Sequence, residues 1–341
     1  MEPSGTVYRS LLPSLVDAAV PAGGAAPAAA PDRRDGAVYV LTEDLVIALD
    51  VALATGRPLL LRGVPGSGKS SLAAFVARNL GWRYYEHVIT SRTRARDLLY
   101  TYDTVRRLAD ATGRAAGDPA LRDHEYVEPG VLWWAFDRAS ARQRGGQAGV
   151  RAAEEPFAEV NASRAAGRAV VLLDEIDKAD PDVPNGLLVP LGSTEFQVAE
   201  TGTLVRLAPA TDGVAGAPNL VVITTNEERE LPPAFLRRCI VHELPRPDRP
   251  RLVEIGRRHL AQVGIAATSL EEQLLDALAR RLEELAAQAV AAGRRPPSTA
   301  EYLDALVTCR ALGVDVTSGL WSKIERLVLS KDAGTLDRTV R

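Results

Sequence analysis

The sequence predicts an α/β fold, a parallel sheet covered on both faces, followed by a smaller all-helical part. Three observations carry this. Pro58–Ser71 reads as a buried strand, a glycine-rich loop and the start of a helix. Ala169–Leu173 is an unbroken apolar run that ends in Asp174 and Glu175. Such runs suit strands buried on both faces, whereas half-buried strands alternate. Beyond the proline-rich boundary Pro245–Pro250 the pattern is helical throughout.

Taken in order, residues 1–36 form an Ala/Pro-rich arm that reads as low-complexity and flexible, with a short helix expected at Tyr8–Ala19. A client-docking tail is the other reading of this arm. Thr42 is placed to cap a helix over Glu43–Thr55, with acids in its first turn and Gly56 just past its end. Upstream of the loop, backbone groups of Val38-Tyr39-Val40 are candidates for reading an adenine ring.

The segment Gly63-Val64-Pro65-Gly66-Ser67-Gly68-Lys69-Ser70 fits G-x-x-x-x-G-K-[ST] without a mismatch. A triphosphate must be wrapped by backbone N–H groups, and the glycines let the chain approach closely. The helix from Lys69 through Ser70 and Ser71 points its positive end at the phosphates. Lys69 is a mobile charge for the β- and γ-phosphates, and the Ser70 hydroxyl is placed for Mg²⁺. The chain has four lysines among 41 basic residues. With arginine as the default cation, a lysine here reads as specifically required.

After the loop helix, Trp82–Thr90 is a strand candidate rich in aromatic and β-branched residues. The next 75 or so residues read as mixed and mostly helical. Within them the basic cluster Arg92–Leu99 suits a solvated face or, less simply, a contact with a neighbour. Trp133-Trp134 suits core or interface packing. Asp174 and Glu175 then lie at the C-terminal end of a parallel strand, where open α/β sheets bind ligands. Asp174 would hold Mg²⁺, and Glu175 would orient or deprotonate a water.

Glu195–Leu207 alternates about a Thr201-Gly202 turn, a hairpin pattern. Leu220–Asn226 is another buried strand with a polar tip. Asn226 could reach the γ-phosphate or the water, or close an Asx-type turn. Pro232–His242 reads as a helix start and a fifth strand, with Arg237 and Arg238 between them. This arginine pair could complement the helix dipole or reach a neighbour's nucleotide. The helices expected beyond are 251–263, 270–291, 299–312 and 318–331. Capping boxes are expected at Ser269/Glu272 and Ser298/Glu301, and an apolar stripe at Leu270, Leu274, Leu278, Leu282 and Leu285.

Bulk properties narrow the functional classes. The 46% hydrophobic and 25% charged content is ordinary for a soluble globular chain. A net charge of −3 and a pI near 5.9 give no global reason to bind nucleic acid or an anionic membrane. Two cysteines make no disulfide framework, no signal peptide is visible, and no apolar run spans a bilayer, so a cytoplasmic location is expected. The four histidines lack metal-ligand spacing.

These motifs together, the loop Gly63–Ser70, Leu172–Ala179, Phe196 through Gly202, Thr224-Thr225-Asn226 and Leu231–Cys239, closely resemble the AAA+ ATPases and, within them, the MoxR group. The resemblance covers about residues 37–331. It implies a P-loop NTPase with a five-stranded parallel sheet of order 5-1-4-3-2, a β-hairpin insertion and a C-terminal helical lid. It divides the chain into the 1–36 arm, a 37–247 nucleotide-binding domain and a 248–341 lid domain. It implies ATP and Mg²⁺ as cofactors. Asn226 would be the polar sensor of the γ-phosphate, and Arg238, assisted by Arg237, an arginine finger acting on the next subunit. Many relatives carry an arginine directly after a proline at the start of the third lid helix. Here Ser298 and Thr299 follow Pro297, leaving Arg294 or Arg295 as substitutes.

The resemblance further implies a homo-oligomer, usually a hexameric ring, that performs chaperone-like remodelling or maturation of a partner complex. A protein with a von Willebrand factor A domain is one such partner. No nucleic acid partner and no membrane insertion are expected. The alternative is an ATP-dependent assembly switch or scaffold in a regulatory or defence complex. A nucleic-acid motor is disfavoured by the acidic pI and the lack of a basic, aromatic-interleaved face.

Overall fold

The structure, a computed structural model, describes residues 10–12, 15, 36–115, 118–146, 149–208 and 219–329. Most of the 1–36 arm and of its expected Tyr8–Ala19 helix lies outside the described residues. Of the part inside, Leu12 and Leu15 are buried, and the Leu11 amide donates to Asp50 Oδ1 at 3.0 Å.

Helix α1 (Glu43–Thr55) begins where Thr42 Oγ1 accepts from the Leu45 amide, and it ends at Gly56 with a φ of 66°. Strand β1 (Leu59–Arg62) runs into the glycine loop and helix α2 (Lys69–Leu80), then β2 (Trp82–Val88). The following insertion contains β3 (Tyr100–Tyr102), helix α3 (Thr104–Thr112), β4 (Val127–Pro129) and helix α4 (Val131–Phe136). Strand β5 (Ala165–Asp174), the hairpin β6 (Glu195–Gln197) and β7 (Leu204–Arg206), β8 (Asn219–Thr225) and β9 (Ile240–Glu243) complete the α/β part.

The main sheet is ordered β2-β5-β8-β1-β9 and is parallel at every pairing. Counted among themselves, these five strands run 5-1-4-3-2 from the β9 edge, the expected order. Alternate residues of one strand enter opposite cores. Leu59, Leu61, Val170 and Leu172 pack with α1 and α2, whereas Leu60, Val171 and Leu173 pack with Trp133, Trp134 and Phe196. Both faces are therefore dry, which is why these strands read as unbroken apolar runs.

The tryptophan pair lies in the core. Trp133 and Trp134 are fully buried, and Trp133 meets the Phe196 ring edge-on at 5.8 Å. This joins the insertion to the hairpin. The insertion departs from the mostly helical expectation, because β3 and β4 pair antiparallel as Tyr100↔Pro129, Thr101↔Glu128 and Tyr102↔Val127. Strands of three residues are too short to show a period. In the basic cluster, Arg92 and Arg94 face solvent and Arg96 reaches Glu200 of the hairpin turn at 3.3 Å.

The C-terminal region is helical: α5 (Arg249–Gln262), α6 (Ser269–Ala291), α7 (Thr299–Ala311) and a short turn over Trp321–Leu329. Its own core includes Leu252, Leu275, Leu278, Leu282, Tyr302 and Leu306. The capping box of α6 is Thr268/Glu271, one residue earlier than expected. Leu270, expected on the apolar stripe, is 57% exposed in the first turn, whereas Leu274, Leu278 and Leu282 are buried. The Ser298/Glu301 box is present as expected. The last expected helix is broken into shorter turns, and its end at Lys331 lies outside the described residues. No helix among the described residues is long and apolar enough to cross a membrane.

Candidate functional site

The site is built where β1, β5 and β8 end together. Register places Leu61 beside Thr224, and Leu173 beside Ile223, so the C-terminal tips of all three strands open on one edge. From β1 the chain turns into the loop with Gly63 at a φ of 140°, where a Cβ would stand 2.5 Å from the Leu244 carbonyl oxygen. Only glycine fits that approach. Gly66, at a φ of 76°, is equally constrained, since a Cβ there would meet Ser298 Cβ at 2.3 Å. The first residue before α7 thus rests directly on the loop.

Lys69 is the one buried lysine among those described. Its ammonium donates to the carbonyls of Gly63 at 2.7 Å and Val64 at 2.9 Å. Burial lowers its pKa, and the carboxylates of Asp174, Asp177, Glu175 and Glu227 pull it back up. Ser70 Oγ donates to Asp174 Oδ1 at 2.7 Å. The same oxygen accepts from Thr224 Oγ1 at 2.6 Å, and Thr224 Oγ1 accepts from the Glu175 amide at 2.9 Å. Glu175 sits at φ 61° and ψ 52°, an uncommon conformation for a side chain this long. Its Oε1 accepts from Asn226 Nδ2 at 3.2 Å.

The structure therefore brings Lys69, Ser70, Asp174, Glu175 and Asn226 to one place. Two further residues complete it that the sequence reading did not single out. Thr224 joins Asp174 to Glu175 through one hydroxyl. Asp177, 2% exposed, accepts from the amides of Asn226 at 3.1 Å and Glu228 at 2.9 Å, pinning the β8 tip beside β5. The signal was present: a carboxylate between Ile176 and Ala179, both buried, and a threonine at the end of an apolar strand.

The residues at the other candidate positions are arranged differently. Tyr39 packs on Phe75 at 5.6 Å, beside Gly68, with its hydroxyl buried and without a partner among the described residues and its pKa raised chiefly by burial. The Tyr39 carbonyl accepts from Arg258 at 2.9 Å and the Val40 carbonyl from Arg251 at 3.0 Å. Both acceptors that could read an adenine are thus held by α5, leaving N–H groups for that task. Arg294 and Arg295 are exposed, whereas Pro297 and Ser298 are buried against the loop.

Arg237 and Arg238 stand apart from the cluster. Arg238 precedes β9 by two residues, and Ile240 pairs with Leu59, the first residue of β1. The glycine loop follows the last residue of that strand. Four strand residues, about 13 Å, separate the two ends. A cavity of about 250 Å³ beside Arg238 is lined also by Arg57, Leu191, Phe235 and Cys239. Burial pushes the Cys239 thiol up to about 12, which keeps it unreactive.

The residues fit a nucleotide with its cation. The loop is a glycine cradle at a helix start, Ser67 Oγ is buried without a partner among the described residues, and the Ser70 hydroxyl faces the Asp174 carboxylate. Among the described residues no group of three or more His, Cys, Asp or Glu forms a separate metal-binding set.

Comparison with known families gives the same frame. The family model described as AAA domain (dynein-related subfamily) matches residues 58–239, that is 182 of 341 and so just over half of the chain. No curated protein sequence matches the chain. Among solved structures, the RuvB Holliday junction branch migration motor of Thermotoga maritima is similar at 14% identity and a TM-score of 0.42, over 84% of this chain and 67% of that one. A variant of the same protein gives 15% and 0.46, over 86% and 73%. A Cytophaga hutchinsonii protein provisionally described as an ATPase gives 16% and 0.37, over 82% and 78%.

Proposed function

The chain belongs to the AAA domain family, dynein-related subfamily, and is an ATPase; on that premise we propose a MoxR-like ring ATPase whose turnover remodels a partner protein complex. The observation that carries the reading is the convergence of Lys69, Ser70, Asp174, Glu175 and Asn226, with Arg238 at the far edge of the same sheet.

In this reading the backbone of Gly63–Ser71 wraps the triphosphate, and Lys69 leaves the loop carbonyls to meet the β- and γ-phosphates. Ser70 and Asp174, already facing each other, would hold Mg²⁺. When bound, that ion neutralises charge on the phosphate oxygens. Glu175 orients a water and takes its proton, with Asn226 fixing the carboxylate's direction. Thr224 and Asp177 keep those two groups in register. Arg238 cannot reach its own loop along the strand, so it would act on a neighbour's nucleotide, assisted by Arg237. The Ser298 contact on Gly66 would let the helical region, residues 248–341, follow the state of the loop. Three MoxR-like features support the finer assignment: the insertion between β2 and β5, the hairpin turning at Thr201-Gly202, and the Leu231–Cys239 run.

One observation favours a slow-turnover switch as the second reading. Asn226 already occupies Glu175 Oε1, and the lid contact covers Gly66. The test is the particle mass of Glu175→Gln with and without ATP and Mg²⁺. An ATP-dependent rise from one subunit to about six, abolished by Lys69→Ala, is expected. A monomer under both conditions refutes the ring.

A further inference from the structure

A second cavity, about 410 Å³, opens at the other end of the sheet from the nucleotide loop. Arg83, Phe136, Arg138, Arg142, Gln143 and Gly167 are among its walls. Arg83 pairs with Ala169 and Val88 with Asp174, so Arg83 lies five residues back along β2 from the level of the Asp174 carboxylate. That is about 17 Å.

The charge balance here is unusual. Arg83 is only 2% exposed, yet its partners among the described residues are neutral. Its Nη1 donates to Tyr85 Oη at 2.8 Å and to the Trp134 carbonyl at 2.7 Å, while Nε is buried with no partner. The nearby carboxylate of Glu155 is already used. Its Oε1 accepts from Tyr85 Oη at 2.8 Å, and its Oε2 accepts from Arg138 Nε at 3.0 Å and Nη2 at 2.6 Å. Asp137, the acid on the wall itself, accepts from the Ser140 amide at 2.9 Å. Arg142 lies exposed on the rim. Three guanidinium groups thus face two engaged carboxylates, and the most buried of the three lacks a counter-charge among the described residues. A buried cation is ordinarily paired, because removing it from water alone is costly.

We propose that this cavity is a binding site for a small multivalent anion, a phosphate- or carboxylate-bearing metabolite, with Arg83 at its floor and Arg142 at its mouth. Arginine suits the task, since its planar fork matches both kinds of oxyanion. The site does not depend on the ring reading. It lies away from the loop and would be filled in a single subunit.

The experiment is a thermal-unfolding titration at fixed ionic strength, with sodium pyrophosphate and sodium citrate as separate probes. It is run on the full chain and on Lys69→Ala, which removes the loop's own phosphate grip. A saturable rise in midpoint is expected in both proteins. A response to pyrophosphate alone assigns the phosphate class, and one to citrate assigns the carboxylate class. Arg142→Ala, at an exposed position that leaves the core intact, should weaken binding about tenfold, the worth of one charge-assisted hydrogen bond. Arg142→Glu should abolish it. The proposal is overturned if neither probe gives a saturable rise, or if the rise survives Arg142→Glu unchanged.

Discussion

Thr224→Val removes one hydroxyl and almost no volume, so it isolates what that hydroxyl does. Thr224 is 1% exposed. Its Oγ1 donates to the Asp174 carboxylate at 2.6 Å and accepts from the Glu175 amide at 2.9 Å. A hydrogen bond to a charged group contributes about 1.5–3 kcal/mol and a neutral one about 1 kcal/mol. Because each partner loses one hydrogen bond at a site closed to water on the Thr224 side, the expected cost is about 3 kcal/mol. In a domain of this size that lowers the thermal midpoint by roughly 6–12 °C.

The functional effect should exceed the structural one. Glu175 is held in a left-handed conformation partly by this bond. Releasing its peptide moves the proposed base by a fraction of an ångström or more, which should cost at least about tenfold in kcat. The KM for ATP should move by less than about threefold, since the loop is untouched. Steady-state ATPase assays beside urea unfolding measure both, and Thr224→Ser, which keeps the hydroxyl, should recover most of kcat. A valine variant with parental kcat and stability, or a serine variant no better than valine, would refute the reasoning.

Other perturbations have equally definite outcomes. Gly256→Ala, normally favourable in a helix, should destabilise by about 1–3 kcal/mol. Its Cβ would stand 2.4 Å from Leu275 Cδ2 and 2.6 Å from Tyr302 Oη, and chemical unfolding reads the sign. Arg238→Ala should still bind ATP, measured with a fluorescent analogue, yet lose at least a hundredfold in hydrolysis. Mixing it with Lys69→Ala should restore part of the rate, because each chain supplies what the other lacks, and no restoration would remove the trans role. Glu271 is held down to about 2 by the Thr268 hydroxyl and by Arg310. Its folded pKa lies below the unfolded value near 4.5, so its stabilising effect is present above pH 4.5 and fades as pH falls toward 2. Glu271→Gln should flatten the acid limb of a stability-versus-pH curve over that window, and an unchanged limb would count against the assignment.

Much of the α/β frame was legible because local and global signals agree at its strands. Leu59-Leu60-Leu61 and Val170–Leu173 are apolar at every position, and each residue is buried on one face or the other. Thr42 and Gly56 bound α1 as capping chemistry dictates. The phosphate loop was legible because its glycines meet steric demands that no other residue satisfies. What escaped depends on contacts between distant segments. Thr224 and Asp177 are ordinary at their own positions and acquire a role only when β8 lies beside β5. The β3–β4 ladder was hidden by its length, and the α6 cap slipped by one residue because Thr268 and Ser269 are both good caps. Arg83 is a polar position in an aromatic strand, and the neutrality of its partners among the described residues is a property of the cavity.

The placement of Arg238 at one end of β9 and the phosphate loop at the opposite end of β1 gives each subunit a direction, like a brick with a peg and a socket. Repeated by any rotation other than a two-fold, a peg-to-socket contact would grow head-to-tail. Under the proposed trans role, an open arc of n chains has only n − 1 complete sites, and its last socket stays idle. Closure turns that idle socket into a working one without adding a chain. The same polarity carries a hazard: if the rotation between neighbours fails to close, the contacts that build a ring will build a helical filament instead.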